Sequence, residues 1–253
     1  MTEKSKIYFV SDAHLGFPNA KESLLRERLL VELLQKMAID AKEIILLGDI
    51  FDFWFEYKKV VPRGFTRLMG TLGLLTDQGI TIRFFKGNHD MWTFGYLEKE
   101  CGVIIHHGKH KTEYFGKKFF IAHGDGLGPG DKGYKRLKRV FNSKFMQWFF
   151  ARFHPNFSFT IAQKWSFSSR LSDTVEDYTF QGEENERLLH YARRKLKKEP
   201  FDFFVFGHRH VPLLIDMDNG AKYVSLGDWL HHFTYAEFDG NIMKLNVYPH
   251  AAE

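Results

Sequence analysis

The 253-residue sequence contains one cysteine, Cys101, and only seven prolines. A single cysteine excludes an internal disulfide and a cysteine-rich metal site, and it fits a reducing compartment. No stretch of 18 consecutive apolar residues is present, so we expect no membrane-spanning helix. Residues Met1 to Lys6 contain no apolar signal-peptide region, from which we expect a cytoplasmic protein.

Aromatic residues, by contrast, are abundant. They make up 17% of the chain, with 27 Phe, 10 Tyr and 5 Trp, whereas the 44% hydrophobic and 26% charged fractions are ordinary for a globular protein. Either the core is unusually rich in rings, or some of that apolar area faces something other than the core. The formal net charge of +5 suits an anionic partner without identifying one.

Short apolar runs that end abruptly at Gly, Asp or His are typical of buried strands. They occur at Ile7–Ser11, Glu43–Leu47, Ile80–Phe85, Lys118–Ala122 and Phe201–Phe206. Amphipathic helices are predicted between the first three, at Ala20–Met37 and Gly64–Gln78, and this alternation indicates a parallel-rich α/β sheet covered by helices. Four C-terminal strands follow, the last two joined by an Asp-Gly hairpin turn, at Pro212–Asp216, Lys222–Leu226, Thr234–Phe238 and Asn241–Val247.

One segment, residues 126–200, interrupts the strand pattern with helical sequence, and we predict that it is an inserted helical cap. The predicted core is therefore formed by residues 1–125 and 201–253. Aromatic and apolar residues are dense within the cap and appear on nearly every helical face, which is typical of a helix at an interface or lining a lipid slot. These residues are Phe141, Phe145, Met146, Trp148, Phe149, Phe150, Phe153, Phe157, Phe159, Ile161, Trp165 and Phe167.

Polar motifs follow five of the predicted strands. They are Asp12-Ala13-His14, Gly48-Asp49-Ile50-Phe51-Asp52, Gly87-Asn88-His89-Asp90, His123-Gly124-Asp125 and Gly207-His208-Arg209-His210. Because ligands of open α/β sheets gather at the carboxyl ends of strands, we expect these five loops to converge.

Seven side chains of these motifs are candidate metal ligands: Asp12, His14, Asp49, Asn88, His123, His208 and His210. Hard oxygen ligands mixed with imidazoles, and no thiolate, suit Mn²⁺, Fe or Zn²⁺. Seven ligands are too many for one ordinary site, so we predict two ions that share a carboxylate, with Asp49 as the bridge. Such a pair activates water and stabilises the oxygens of a phosphoryl displacement.

The ordered motifs Asp-x-His, Gly-Asp-x-x-Asp, Gly-Asn-His-Asp, His-Gly-Asp and Gly-His-x-His resemble those of the calcineurin-like metallophosphoesterase superfamily, over roughly residues 6–248. The resemblance implies a four-layer αββα sandwich with two divalent ions, most simply Mn²⁺. One ion would be bound by Asp12, His14, Asp49 and His210, and the other by Asp49, Asn88, His123 and His208. It also implies that His89 contacts the scissile phosphate or protonates the leaving group, oriented by Asp90.

A narrower resemblance is to the UDP-2,3-diacylglucosamine hydrolases of lipid A synthesis. It is carried by Ser11-Asp12-Ala13-His14-Leu15, by Gly48-Asp49-Ile50-Phe51-Asp52-Phe53-Trp54 and by the placement of the cap. This branch implies hydrolysis of a nucleotide-sugar pyrophosphate to UMP and 2,3-diacylglucosamine 1-phosphate, with acyl chains bound by the cap. We predict substrate contacts at Asp131, by position in that branch, and at Arg139 and Trp148. The aromatic cap also predicts peripheral association with the inner face of the cell membrane.

Other substrates stay open, because better-known members of this branch have Arg where this chain has His89. The same site could act on another nucleotide pyrophosphate, a cyclic nucleotide or a phosphomonoester.

A nuclease is a third hypothesis, supported by the net charge and by Arg193–Lys198. That run fits the exposed face of a helix better, so we expect no nucleic-acid partner. A scaffold without turnover predicts missing metal ligands, and none is missing. The oligomeric state is not predicted.

Overall fold

The computed structural model describes residues 4–128, 132–171 and 178–249. Its α-helices are α1 (Ala20–Met37), α2 (Thr66–Asp77), α3 (Tyr96–Cys101), α4 (Lys132–Phe141), α5 (Lys144–Phe150), α6 (Pro155–Leu171) and α7 (Arg187–Leu196). Its strands are β1 (Lys6–Val10), β2 (Ala41–Leu46), β3 (Thr81–Phe85), β4 (Ile104–His106), β5 (His110–Tyr114), β6 (Lys117–Ala122), β7 (Phe203–Phe206), β8 (Pro212–Asp216), β9 (Lys222–Leu226), β10 (Thr234–Phe238) and β11 (Met243–Val247).

These strands form two mixed sheets. The first has the order β11-β10-β1-β2-β3-β4, and the second has the order β5-β6-β7-β9-β8. Strands β1, β2, β3 and β4 run parallel, as do β6, β7 and β9. All carboxyl ends within each parallel set therefore lie at one edge of its sheet.

The core consists of three apolar layers. One packs α1 and α2 against the first sheet, the second lies between the two sheets, and the third packs α7 against the second sheet. Phe9 and Phe119, for example, stack across the middle layer with ring centroids 6.2 Å apart. This order of helix, sheet, sheet and helix confirms the predicted four-layer αββα sandwich.

Helix α1 has the bounds that its apolar periodicity predicts. It begins after Asn19, whose side-chain oxygen accepts hydrogen bonds from the N–H groups of Lys21 at 3.0 Å and Glu22 at 3.1 Å. Strands β10 and β11 form the predicted antiparallel hairpin. Strands β4 and β5, which are edge strands of the first and the second sheet, were not predicted. Their polar, half-exposed residues lack the continuous apolar run that marks a buried strand.

Helices α4, α5 and α6 form the part of the predicted cap that lies within the described residues. Helix α7 also falls inside the range 126–200, but its Leu188, Leu189 and Ala192 are buried in the third core layer. We therefore assign α7 to the sandwich, because its apolar stripe is covered by the second sheet. The division into core and cap otherwise stays a prediction. In the part of the chain that the structure describes, no helix has the length and apolarity needed to span a bilayer.

Candidate metal centre

The five polar motifs converge where the parallel strands end. Five of the candidate ligands have left-handed backbone conformations, with φ of 54° at Asp12, 42° at His14, 52° at Asp49, 68° at His208 and 59° at His210. Residues other than glycine rarely adopt this backbone conformation. It costs free energy and is found most often at functional sites. The repeated left-handed turns direct polar side chains from different loops toward one point.

Six of the seven candidate ligands belong to compact groups whose ligand atoms lie within 4.8 Å of one another. The groups are Asp12, His14 and His210; His14, Asp49 and His89; and Asp49, His123 and His208. Asn88, the seventh, has its side-chain oxygen 3.3 Å from His123 Nε2. The structure thus brings all seven predicted ligands together, with Asp49 in two of the groups.

Asp49 occupies the centre of the arrangement. Its Oδ2 lies 3.2 Å from His123 Nε2 and 3.9 Å from His14 Nε2, and its Oδ1 accepts a hydrogen bond from the His89 N–H at 2.8 Å. Gly87 permits this close approach, since a Cβ atom there would lie 2.1 Å from Asp49 Oδ1. Any side chain at position 87 would displace the carboxylate.

Two imidazoles are oriented by hydrogen bonds on the side away from the cluster. His123 Nδ1 donates to the carbonyl oxygen of Leu47 at 2.8 Å, and His210 Nδ1 donates to Asp228 Oδ2 at 3.2 Å. In both rings the Nε2 atom is left facing the other candidate ligands. Metal-binding histidines are commonly fixed in this way by a carbonyl or a carboxylate.

Asp228 was missed by the sequence analysis. It is fully buried, and its Oδ1 accepts hydrogen bonds from three consecutive N–H groups, those of Leu230, His231 and His232. The available signal was Gly227-Asp228-Trp229, a sixth polar motif that directly follows a strand, β9. Asp228 holds the following loop and His210 in a fixed relation.

His89 lies between the metal-ligand cluster and the cap. Its Nδ1 is 2.8 Å from the carbonyl oxygen of Asp52, and Ser166 of α6 donates a hydrogen bond to Asp52 Oδ2 at 2.7 Å. Asp52 Oδ1 lies 3.6 Å from His14 Nδ1. Asp52 and Ser166 therefore connect a candidate ligand, the candidate proton donor and the cap.

Asp90 was predicted to orient His89, but the hydrogen bonds described for its carboxylate are made to backbone N–H groups. Its Oδ1 accepts a hydrogen bond from the Gly87 N–H at 2.7 Å, and its Oδ2 accepts one from the Ile50 N–H at 2.9 Å. Because both oxygens are used by backbone groups, Asp90 ties together the loops after β2 and β3. Its assignment as a catalytic residue stays a prediction.

The electrostatics suit a cationic occupant. Burial opposes ionisation of Asp49, but the neighbouring His123 and His89 outweigh it and hold the pKa of Asp49 well below its usual range. Burial lowers the pKa of His208 to about 4, and the charge on His123 adds to the effect, so the His208 imidazole is neutral near pH 7. An ionised carboxylate and a neutral imidazole are the forms that bind metal ions. His123 differs from His208, because burial opposes its charged form but Asp49 outweighs burial and raises the pKa of His123 to about 10, so His123 would release its proton when an ion binds.

Asp12 provides a direct test of whether a metal fits. The residue is fully buried, and within the described residues no hydrogen-bond donor reaches its Oδ1. A buried carboxylate oxygen without a partner is costly unless a cation compensates it. With histidine nitrogens and carboxylate and amide oxygens around it, the donor set fits divalent transition-metal ions.

An apolar cavity of about 390 Å³ adjoins the cluster, between the core and the cap, and we call it the cap cavity. It is bounded at one end by Asp52, Asn88 and His89, and along its length by apolar residues of both parts: Phe53, Met91, Trp92, Leu137, Phe141, Met146, Phe150, Ile161 and Ala162. Trp92 of the core packs on Phe150 of α5 with ring centroids 4.7 Å apart, so core and cap are in contact along the wall of the cavity.

Of the three predicted substrate contacts, the two that lie within the described residues, Arg139 and Trp148, do not line the cap cavity. Arg139 is exposed on α4, and Trp148 is 54% exposed on α5 beneath the guanidinium of Arg152, 4.8 Å from the ring centroid. Asp131 lies outside the described residues. The helical face that meets the cavity instead presents Leu137 and Ile161, which an aromatic-rich sequence did not distinguish from its outer face.

Residues 5–212 match the family model described as calcineurin-like phosphoesterase. The chain belongs to this family of metal-dependent hydrolases, and the layered fold agrees with that assignment.

Among curated proteins, the chain is 38% identical to the UDP-2,3-diacylglucosamine hydrolase of Porphyromonas gingivalis, covering 96% of this chain and 97% of that protein. It is 28% identical to the protein of the same name from Neisseria gonorrhoeae, covering 90% and 91%. The corresponding values for the protein from Edwardsiella ictaluri are 27% identity, with coverage of 97% and 93%.

Proposed function

We propose that the protein hydrolyses the pyrophosphate of UDP-2,3-diacylglucosamine to UMP and 2,3-diacylglucosamine 1-phosphate. The observation that carries the proposal is the apolar cap cavity, which opens directly onto Asn88 and His89 beside the candidate metal ligands. A phosphoesterase that acts on small polar esters has no need of such a cavity. Relatives named for this lipid activity span nearly the full chain and support the same substrate.

The metal ions are proposed to be two Mn²⁺. Asp12, His14, Asp49 and His210 would bind one, and Asp49, Asn88, His123 and His208 the other. When bound, such ions supply Lewis-acid activation of water and of the phosphoryl oxygens. The left-handed turns and the hydrogen bonds from His123 and His210 to groups outside the cluster preorganise the ligands.

His89 is proposed to stabilise the phosphoryl oxygens or to protonate the leaving group. Its side chain is 20% exposed and borders the cap cavity, so a substrate in that cavity comes within its reach. The Asp52 carbonyl oxygen accepts a hydrogen bond from Nδ1 of His89, which directs Nε2 away from the protein backbone. General acids positioned in this way contribute about 100- to 10,000-fold to catalysis.

The cap cavity is proposed to hold acyl chain. Each methylene group that leaves water contributes about 0.8 kcal/mol, so even a few carbons of one chain stabilise the complex substantially. Leu137 and Ile161 are 40% and 48% exposed, and a chain in the cavity would cover part of that surface.

The outer face of the cap is proposed to contact the membrane surface. A row of exposed rings follows α5 and the start of α6, with Phe145, Phe149, Phe153 and Phe157 each 5.0 to 6.4 Å from the next between ring centroids. Residues 132–171 contain no Asp or Glu but several Lys and Arg. Exposed rings among basic side chains favour an anionic lipid surface, and docking there would bring a lipid substrate to the cap cavity.

The test is hydrolysis of UDP-2,3-diacylglucosamine in the presence of Mn²⁺, with UMP and the diacyl sugar phosphate identified by mass spectrometry. Ile161→Asp, which places a charge in the cap cavity, should raise KM about 100-fold or more for this lipid. The same variant should leave hydrolysis of a small chromogenic phosphodiester unchanged. Rapid turnover of cyclic nucleotides or phosphomonoesters without turnover of the lipid would contradict the proposal.

A further inference from the structure

Two cavities flank the metal-ligand cluster, and they differ in chemistry. The cap cavity is apolar and meets the cluster at Asn88 and His89. A second cavity of about 810 Å³ meets it at Gly87 and His123, and we call it the polar cavity. Met91 and Lys138 line both, so the two cavities are neighbours that share a wall beside the cluster.

We propose that the polar cavity binds the nucleotide half of the substrate, a pyrimidine nucleoside monophosphate. This inference rests on the proposed function, because a pyrophosphate that joins a nucleotide to an acylated sugar presents a polar half and an apolar half on opposite sides of the cleaved bond. The two neighbouring cavities correspond to these halves. The volume of the polar cavity lies within the range of small-molecule sites, about 300–1,000 Å³.

The charge of the polar cavity suits a phosphate. Lys86, Lys109 and Lys138 line it, together with the carboxylates of Glu98 and Asp125. Asp125 is compensated within the protein, since it forms an ion pair with Lys138 and accepts a hydrogen bond from the Tyr134 hydroxyl at 2.8 Å. The remaining balance at the cavity wall is therefore positive. Lys109 is exposed there, with its Nζ 5.4 Å from the centre of the Tyr191 ring, and an anion in the cavity would draw the ammonium from that ring.

An exposed aromatic ring provides a platform for the base. Phe94 lines the polar cavity and is 48% exposed, although one edge packs on Phe55 with centroids 5.7 Å apart. Lys86 Nζ lies 5.6 Å from the centre of the Phe94 ring. A nucleobase stacked on this ring would cover apolar surface that is otherwise in water.

Amide groups complete the lining. Asn142, just before α5, and Gln147, within it, line the same cavity. Their amide nitrogens donate inside the cap, to the carbonyl oxygens of Lys138 at 2.9 Å and Asn142 at 3.4 Å, and their side-chain oxygens can accept hydrogen bonds from the edge of a base. The cap therefore contributes to both cavities, with apolar side chains to one and amides to the other. Binding of the nucleotide and of the acyl chain would both hold the cap against the core.

The experiment measures binding of UMP by calorimetry to the full-length protein with Mn²⁺. Phe94→Ala should raise the Kd of UMP about tenfold through lost stacking, and Lys109→Ala should raise it about fivefold through a lost charge contact. Phe94→Ala should leave the Kd of inorganic phosphate unchanged. Lys99→Ala, which removes an exposed lysine of α3, and Ile161→Ala in the cap cavity are the controls and should leave UMP binding unchanged.

Three results overturn the inference: no UMP binding to the wild-type protein, unchanged UMP affinity in both cavity variants, or an equal loss in Ile161→Ala. Thermal unfolding of each variant shows whether the fold is retained. Failure of the proposed function is a separate result, namely no hydrolysis of UDP-2,3-diacylglucosamine by a protein that binds UMP in a Phe94-dependent manner. Hydrolysis with normal UMP affinity in Phe94→Ala and Lys109→Ala instead contradicts the inference alone.

Discussion

The aromatic residues of the core and those of the cap differ in what surrounds them. In the core, Trp54 and Trp229 are 1% and 0% exposed, and Phe51 stacks on Trp54 with ring centroids 4.4 Å apart. On the outer face of the cap, Phe145 is 67% exposed and Phe157 is 56% exposed. The same residue type therefore serves packing in one region and leaves apolar surface available in the other.

This difference separates two parts of the function. Core rings and the chain that carries them support the loops of the metal centre. The Trp229 backbone N–H donates to the carbonyl oxygen of Asp12 at 3.1 Å, and its buried indole Nε1–H donates to the carbonyl oxygen of Arg26 at 3.4 Å. Their packing fixes the ligands, and with them the bond that is cleaved. The cap rings line a cavity or face solvent, and under the function proposed above they would bring the lipid substrate to that chemistry. Changes in the two regions should therefore affect different measurements.

The largest effect is expected from removing the central carboxylate of the core. Asp49→Ala should lower kcat for UMP release by at least about 1,000-fold, equivalent to roughly 4 kcal/mol of barrier, since Asp49 belongs to two of the three ligand groups. Bound manganese, measured by plasma mass spectrometry, should fall in parallel.

Asp77→Ala is the matched control, because Asp77 is an exposed carboxylate at the end of α2. It should retain full activity and metal content. Normal turnover by Asp49→Ala, or by the wild-type protein in excess EDTA, would refute a metal-dependent core.

A smaller effect should follow from changing the residue at the boundary between core and cap. His89→Ala should lower kcat about 100-fold, because a proton donor or phosphate ligand is lost. Metal content should stay unchanged, and this separates the role of His89 from that of the ligands. His154→Ala, an exposed histidine of the cap, serves as the control. Loss of metal from His89→Ala would show that His89 is itself a ligand.

The cap alone should respond when its outer rings are removed. Replacing Phe145 and Phe157 by serine should weaken binding to vesicles that contain phosphatidylglycerol about tenfold, since each ring withdrawn from the interface loses apolar burial. Vesicle co-sedimentation measures the effect. Phe115→Ser removes a ring of the core that is 43% exposed, and it should leave vesicle binding unchanged. Equal losses in both proteins would remove the distinction between the two regions.

Much of the core could be predicted because its signals are local. Each buried strand ends at a polar motif, and parallel strands bring their carboxyl ends together whatever the rest of the fold does. The positions of Asp12, Asn88 and His208 followed from that rule. The bounds of α1 followed from apolar periodicity.

The remainder depends on contacts between distant segments. The hydrogen bond between Asp228 and His210 joins two loops 18 residues apart, and it could be found only once both loops were placed. The hydrogen bond from Ser166 to Asp52 depends in the same way on the placement of the cap. In the cap, rings on nearly every face left no single apolar stripe to indicate which side meets the core. Arg139 and Trp148, which were predicted as substrate contacts, do not line the cap cavity, whereas Leu137 and Ile161 do; the role of Arg139 and Trp148 stays a prediction.

The smallest effect concerns the stability of the core at β4, the edge strand of the first sheet. Burial lowers the pKa of His106 to about 4, and the nearby His110 and Arg83 add to the effect. The His106 ring lies 4.4 Å from that of His110, and its Nε2 is 3.1 Å from Arg83 Nη1. Because the unfolded chain has the ordinary value of 6.5, it binds the proton first as the pH falls.

The contribution of His106 to stability should therefore be complete above pH 6.5 and lost as the pH falls toward 4. His106→Gln should reduce the loss of unfolding free energy between pH 7 and pH 5 by about 1 kcal/mol, a value reduced for partial solvent screening. Urea unfolding of both proteins at each pH measures the difference, in which titration of the metal-centre histidines cancels. If His106→Gln loses as much unfolding free energy between pH 7 and pH 5 as the wild type, then His106 does not contribute to the acid sensitivity of the fold. The acid sensitivity would then come from other groups, such as the histidines of the metal centre.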